Sequence, residues 1–177
     1  GDMVFGDRLV SGVAAVGVSN TFPKVRRNAE NGDVILLTKG SGGGTISTIA
    51  IYNKYFEIIK ETLNVEFTDA CNTLFKNGIG DIHTMCDITN GGIRGDASEI
   101  SRTSGKKFLL NEDALLRAIN KKVLNMLIEL EIDPLGISTD SLMLILPEEN
   151  VSNIFKYLKK VTKIYEVGRI EEGKGVM

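Results

Sequence analysis

The sequence of residues 31–45, NGDVILLTKGSGGGT, predicts a buried strand that passes through a glycine-rich turn into a helix. Asn31-Gly32 is a turn signal, and the run over 33–38 that follows it is typical of a strand covered on both faces. The glycines at 40 and 42–44 end this strand, after which Thr45 begins a helical pattern that extends through Ile59. We therefore expect a strand, a glycine turn and a helix in succession.

A second unit of the same kind follows. Residues 82–86 form a weaker strand pattern, and residues 87–92, DITNGG, are polar and glycine-rich. From Ile93 the apolar positions recur with helical spacing until Ser104-Gly105 ends the pattern. The chain thus repeats the order strand, glycine turn, helix.

The other predicted elements mix strands and helices without strict alternation. They are a strand over 12–18, a helix capped by Thr68-Asp69 and ended at Asn77-Gly78, a short strand over 107–110, a helix capped by Asn111 and continuing to Leu130, a strand over 142–146, a helix after Pro147 and a closing strand over 164–170. This order predicts an α+β fold, a mixed α/β sandwich in which helices cover a mixed sheet.

Composition excludes several classes of protein. A chain of 177 residues with 42% apolar and 25% charged residues is typical of one globular domain. No apolar run approaches the roughly 20 residues that span a bilayer, and no secretory signal is recognisable, so we expect a cytoplasmic protein without membrane contact. Because 21 basic residues oppose 23 acidic ones and are scattered apart from Lys24-Val25-Arg26-Arg27, we expect no nucleic-acid partner.

Cysteine and histidine are too few for the common metal and nucleophile schemes. Cys71 and Cys86 with the single histidine, His83, assemble no zinc motif and no disulfide framework. Metal binding would therefore need carboxylates. We expect His83 to be structural and Cys71 to be a small core residue.

The first glycine turn is a candidate anion site formed by Gly40, Ser41, Gly42, Gly43 and Gly44. It matches neither the P-loop, which needs Lys-Ser or Lys-Thr after its last glycine, nor the dinucleotide fingerprint. Glycines nevertheless let backbone amides approach an anion closely, and the positive end of the next helix favours negative charge there. The alternative is a flexible turn without a ligand.

Two further segments carry candidate site residues. Asp87, Thr89, Asn90, Gly91 and Gly92 combine a carboxylate, a hydroxyl, an amide and two glycines at a helix start, where Asp87 could hold a divalent cation and the glycine amides an oxyanion. The alternative is that Asp87 or Thr89 caps the helix. In the third segment, residues 133–141, Asp140 precedes a buried strand, and it could bind a ligand or only satisfy turn amides.

Taken in chain order, these segments resemble the C-terminal domain of the aminoimidazole ribonucleotide (AIR) synthase-related superfamily. The resemblance rests on Gly32–Thr38 with its glycine turn, Asp87–Ile93 with Glu99-Ile100, Asp133–Asp140 and Val167–Ile170. The superfamily includes purine-pathway cyclo-ligases, selenophosphate synthetases, thiamine-monophosphate kinases and hydrogenase-maturation dehydratases. Residues 87–92 and 133–140 are most similar to the hydrogenase-maturation type.

The resemblance implies an ATP-dependent enzyme that activates a small substrate by phosphoryl transfer, with Mg²⁺, in a cleft between two domains. It implies that residues 1–20 are the end of a missing N-terminal ATP-binding domain or a linker strand, and that 21–177 are the C-terminal domain. The full-length protein would be a homodimer, and this chain alone would be inactive. Gly42, Gly43 and Gly44 would wrap the phosphate, with Asp87, Thr89 and Asn90 positioning substrate or metal.

Two other functions stay open at this stage. The first is a non-catalytic binding or assembly module that keeps the fold, which the scarcity of ionisable nucleophiles favours. The second is a mononucleotide-binding domain, which requires a parallel, doubly wound sheet with the ligand at the carboxyl ends of its strands.

Overall fold

The computed structural model of the protein describes residues 14, 16–18, 20, 23–62, 65–77 and 82–177. The strand expected over 12–18 lies largely outside the described residues. Within it, Val16 and Val18 are fully exposed and belong to no strand.

Among the described residues, six strands form one sheet in the order β2-β4-β1-β5-β3-β6. All neighbours pair antiparallel except β3 and β6, which are parallel. The strands are β1 Val34–Thr38, β2 Thr84–Asp87, β3 Lys107–Leu110, β4 Leu142–Leu146, β5 Ile164–Glu171 and β6 Gly175–Val176. The expected α+β fold with a mixed sheet covered by helices is confirmed. The sheet is mostly antiparallel and is not a doubly wound parallel sheet. The interpretation as a mononucleotide-binding domain was therefore wrong.

Seven α-helices among the described residues cover this sheet. They are α1 Gly44–Tyr52, α2 Phe56–Thr62, α3 Glu66–Asn77, α4 Gly92–Ser104, α5 Glu112–Ala118, α6 Lys121–Glu129 and α7 Val151–Leu158. One hydrophobic core lies between the sheet and helices α1, α2, α4, α5 and α6. A second core lies on the opposite face, beneath α3 and α7.

The two central strands explain why the fold is layered in this way. All residues of β1 and β4 are buried, and alternate side chains enter opposite cores. Ile35 and Met143 belong to the core under the larger helical layer, whereas Leu36 and Leu144 belong to the core under α3 and α7. A strand covered on both faces needs apolar side chains at every position. The continuous apolar runs are therefore explained, and the expectation of two covered faces is confirmed.

Three helix boundaries differ from the sequence-based expectation. The helix expected from Thr45 to Ile59 is two helices, because Lys54 adopts a positive φ of 65° between α1 and α2. The helix expected from Asn111 to Leu130 is also two, because Ile119 leaves the helical conformation with a ψ of 141°. Thr68 lies inside the first turn of α3, which begins at Glu66, rather than capping it.

In the part of the chain that the structure describes, every helix is too short or too polar to cross a bilayer.

Candidate functional site

The three candidate segments meet at one end of the sheet because of the strand order. Strand β4 lies between β1 and β2 and runs antiparallel to both, with Leu37 opposite Met143 and Asp87 opposite Leu142. The ends of β1 and β2 therefore lie beside the start of β4. As a result, both glycine turns and the loop before β4, which we call the connecting loop (residues 133–141), lie side by side.

The connecting loop packs first against the turn after β1. The Gly42 amide donates to the carbonyl oxygen of Thr139 at 2.8 Å. A Cβ placed on Gly40 would lie 2.2 Å from Ser141 Oγ, and one placed on Gly43 would lie 2.0 Å from Asp140 Oδ2. The Asp140 carboxylate therefore lies directly against Gly43, at the start of α1.

The same loop also packs against the turn after β2. Ser138 Oγ donates to the carbonyl oxygen of Ile88 at 3.0 Å, and the Ile88 amide donates to the Ser141 carbonyl at 2.8 Å. Further along, the Arg94 amide donates to the Leu135 carbonyl at 3.1 Å. The connecting loop is thus the contact that joins the two turns.

Each glycine turn leads into the N-terminus of a helix. Gly43 precedes α1 and Gly91 precedes α4, and at neither position does a side chain of the described residues cap the helix. The expected capping of α4 by Asp87 or Thr89 is therefore not found. Amides in the first turn of a helix lack intrahelical partners, so these two helix starts present positive ends and free donors.

Several of the predicted amide donors are already used within the fold. The Gly40 amide donates to Ala118 at 2.8 Å, the Gly42 amide to Thr139, and the Gly92 amide to Thr89 at 2.9 Å. Such amides are not available to a ligand. Among the predicted glycines that the structure describes, Gly43, Gly44 and Gly91 have amides without such a partner.

Exposure divides the predicted side chains into two groups. Asp87, Thr89 and Asn90 are exposed at the end of β2, where a ligand could reach them. Ser41 is buried instead, and its hydroxyl lies 3.4 Å from Asn120 Nδ2. Asp140 is half-buried and has a positive φ of 48°, an unusual backbone conformation for a residue with a side chain.

Asp96 supports the second turn, although the sequence analysis did not select it. Its carboxylate accepts the Thr89 amide at 3.1 Å and an Arg26 guanidinium nitrogen at 2.8 Å, and burial raises its pKa. The sequence does contain a signal for Asp96, because the helical spacing places it on the same face of α4 as the apolar residues Ile93 and Ile100. A carboxylate on an apolar helix face indicates a buried polar contact.

Asn120 supports the first turn in a comparable way. Its side-chain Nδ2 donates to Glu61 Oε2 at 2.8 Å and lies beside Ser41, while its side-chain Oδ1 accepts the Lys122 amide and so caps α6. Hydrogen bonds from Lys122 and from Asn120 hold the pKa of Glu61 below its usual value. The Asn120 backbone amide also donates to the Gly40 carbonyl at 2.6 Å, so these contacts fix Gly40 and Ser41 to α2 and α6.

The histidine and the cysteines have structural roles. His83 Nδ1 lies 2.9 Å from the buried Asp33 carboxylate, just before β2. Burial raises the pKa of the Cys86 thiol to about 12, so the reactive thiolate is scarce near neutral pH. Cys71 packs against the core beneath α3 and α7, which confirms that expectation.

No group of three or more histidine, cysteine, aspartate or glutamate side chains within the described ranges is arranged to hold a metal ion.

Comparison with known proteins shows the family to which the chain belongs. Residues 30–177 match the family model described as AIR synthase related protein, C-terminal domain. An uncharacterized protein of Methanocaldococcus jannaschii is 56% identical over 176 residues. That match covers 98% of this chain but only 38% of the relative, so the chain spans less than half of that protein.

Two solved structures share the fold. The hydrogenase maturation protein HypE, in complex with ATP, superposes with a TM-score of 0.64 at 24% identity, over 85% of this chain and 45% of that chain. ThiL, a thiamine-monophosphate kinase solved with AMPPCP and TMP, superposes with a TM-score of 0.63 at 18% identity, over 86% of this chain and 49% of that chain. The chain therefore corresponds to about half of each of these proteins.

Proposed function

Since the chain belongs to the AIR synthase-related family, whose C-terminal domain it carries, we propose that it is the substrate- and phosphate-side domain of an ATP-dependent enzyme. The observation that supports this most directly is the meeting of two uncapped helix starts and several exposed polar side chains at one end of the sheet. The nucleotides in the solved HypE and ThiL structures support the same class of ligand.

The free amides of the two turns would bind phosphate oxygens. Phosphoryl transfer depends mainly on positioning and on stabilising charge that spreads over the phosphate oxygens. Gly43 and Gly44 at the start of α1, and Gly91 at the start of α4, offer donors with the positive end of a helix behind them. Thr89 and Asn90, exposed beside Gly91, would hydrogen-bond a small substrate.

The carboxylates of this region fit Mg²⁺. Mg²⁺ usually takes one or two carboxylates and completes its shell with water and substrate phosphates, so it does not require a cluster of three protein ligands. Asp87 is exposed beside the second turn, and Asp140 lies against the first. When bound, the ion would neutralise phosphate charge, which also lets an anion approach α1 despite the Asp140 carboxylate.

The remaining parts of the proposal concern the whole protein. We expect a longer chain in which an N-terminal domain, ending near residue 20, supplies most of the ATP and Mg²⁺ ligands. That protein would be a cytoplasmic homodimer, and the present chain alone would not turn over ATP.

The decisive variant is Gly44→Val, tested in the protein that carries both domains. A Cβ on Gly44 meets no atom within 4 Å, so a valine there fills open space rather than straining the fold. If phosphates approach the start of α1, the valine blocks them, and ATP binding measured by calorimetry in the presence of Mg²⁺ should weaken at least tenfold, which corresponds to about 1.4 kcal/mol.

The matched control is Ser152→Val, which adds an exposed valine to the first turn of α7, in the helical layer on the opposite face of the sheet. Both variants should keep the melting temperature of the parent protein. Unchanged ATP affinity in Gly44→Val would remove the first turn from the proposed site.

A second function, a non-catalytic binding or assembly module, is favoured by one observation. The Asp140 carboxylate occupies the space against Gly43, and a carboxylate at a helix start can satisfy that helix without any ligand. If the two-domain parent protein binds no nucleotide at all, the module is the better description.

A further inference from the structure

We propose that an open groove beside the first glycine turn binds a small molecule that carries two or more phosphate groups. The groove has a volume of about 560 Å³ and is lined by five cations, Lys39, Arg117, Lys121, Lys122 and Lys163. We call it the lysine groove. It is separate from the glycine amides and carboxylates of the proposed function, so either proposal can fail without the other.

The cations come from two parts of the fold that are separate in sequence. Lys39 and Lys163 follow β1 and precede β5, whereas Arg117, Lys121 and Lys122 belong to α5 and α6. The chain as a whole has a net charge of −2, so this concentration of positive charge arises from folding rather than from composition. The sequence shows these residues as scattered, and the antiparallel sheet and the α5–α6 bend bring them together.

Lys39 and Lys163 lie opposite each other, where their like charges repel. The Lys39 amide donates to the Lys163 carbonyl at 2.8 Å, one step beyond the paired residues Thr38 and Ile164. Both side chains line the groove. Like charges at directly opposite strand positions repel each other and destabilise the pair. A polyanion between them would relieve that repulsion.

Few neighbouring carboxylates neutralise the groove. Glu61 of α2 pairs with Lys122 at 2.5 Å. Within the described part of the chain, Lys39, Arg117, Lys121 and Lys163 make no ion pair. Arg117, Lys121 and Lys163 are thus left for a ligand, whereas Lys39 is also attracted to Glu61, whose pKa it helps to lower.

The shape of the groove favours a compact ligand over a nucleic acid. Its volume lies within the range of roughly 300–1,000 Å³ usual for small-molecule sites. Five cations around one cavity of this size can contact a compact cluster of phosphates, whereas a nucleic-acid backbone is followed by a stripe of cations along a surface. Asn125 and Tyr165 add polar groups that could orient the ligand.

The test uses inorganic tripolyphosphate as the probe and calorimetry as the measurement, at low and at physiological salt. The protein carries Gly44→Val throughout, so that binding at the proposed nucleotide site is weakened equally in every variant. The double variant Lys39→Gln/Lys163→Gln should weaken tripolyphosphate binding at least tenfold. The control Lys156→Gln/Lys174→Gln removes the same charge from exposed positions outside the groove and should leave the affinity within twofold.

Three results would overturn the proposal. They are no tripolyphosphate binding by the protein with intact lysines at low salt, equal losses in the two double variants, and tighter binding of a single-stranded oligonucleotide than of tripolyphosphate. The last result would assign the groove to nucleic acid instead. Melting temperatures of both double variants identify any loss that comes from unfolding.

Discussion

Gly92 is the position where a single side chain would most directly disturb the contact between the connecting loop and α4. Its φ is +59°, and a Cβ there would lie 2.4 Å from the Leu135 carbonyl oxygen and 2.5 Å from the Ile137 amide nitrogen. Both neighbours are backbone atoms, which cannot move aside as a side chain end can. Packing and backbone conformation therefore require glycine at position 92, independently of any ligand.

Gly92→Ala should lower the free energy of unfolding by roughly 3 kcal/mol, because left-handed strain adds to overpacking against the connecting loop. The matched control is Gly95→Ala in the same helix, where the new Cβ would lie 3.6 Å from the Asn90 carbonyl oxygen, an ordinary van der Waals contact. That variant should gain about 0.5–1 kcal/mol, since alanine is the better helix former. Urea unfolding of both variants measures the difference, and equal stabilities would contradict the packing described here.

Other single residues show where sequence reasoning succeeds and where it does not. Asn111 was expected to cap a helix, and its side chain accepts the Ala114 amide at 2.9 Å. This contact spans three residues, so a local pattern suffices to predict it. Ser41 was expected to face a ligand but is buried against Asn120, which lies 79 positions away in the sequence. No local pattern contains that neighbour.

At the scale of secondary structure elements, Asn120 holds together three parts of the fold. It separates α5 from α6, caps α6 through the Lys122 amide and bonds Glu61 of α2. The helical pattern from Asn111 to Leu130 continues through this bend, because the apolar spacing of both helices serves the same core. Periodicity alone therefore could not reveal the break.

Asn120→Ala should cost about 2 kcal/mol of stability, because it removes a cap and leaves buried partners without their hydrogen bonds. Asn111→Ala is the matched comparison, since it removes an exposed cap of α5 and should cost only about 1 kcal/mol. Thermal or urea unfolding decides between them. If Asn111→Ala proves the more damaging of the two, the contacts of Asn120 with Ser41 and Glu61 contribute little.

In the folded domain, the two faces of the described sheet pack against two different hydrophobic cores. Neighbouring residues of β4 enter opposite cores, with Met143 on one side and Leu144 on the other. A strand that supports both layers couples their stabilities. We therefore expect the described domain to unfold as one cooperative unit.

Met143→Ala and Leu144→Ala test this coupling. Each should cost about 2–5 kcal/mol, since each leaves a cavity in a fully buried position. Scanning calorimetry should show one transition that moves to lower temperature in both variants. Two transitions, of which each variant moves only one, would mean that the helical layers unfold separately.

The local features of this protein follow from the sequence alone: the buried strands at 34–38 and 142–146, the glycine turns, most helix positions and the α+β class. Each of these depends on residues close together in the chain, whose backbone preferences and apolar spacing are readable directly. The family resemblance also rested on such segments, and the match over 30–177 confirms it.

Which segments meet depends on the folded arrangement of the strands and helices. The insertion of β4 between β1 and β2 brings the two glycine turns and the connecting loop to one end of the sheet. Packing of the first turn against α5 and the connecting loop commits the amides of Gly40 and Gly42 to internal bonds. The same folding gathers separate lysines into one groove. Strand order and charge clustering arise from contacts between residues far apart in the sequence, and such contacts leave no periodic trace along the chain.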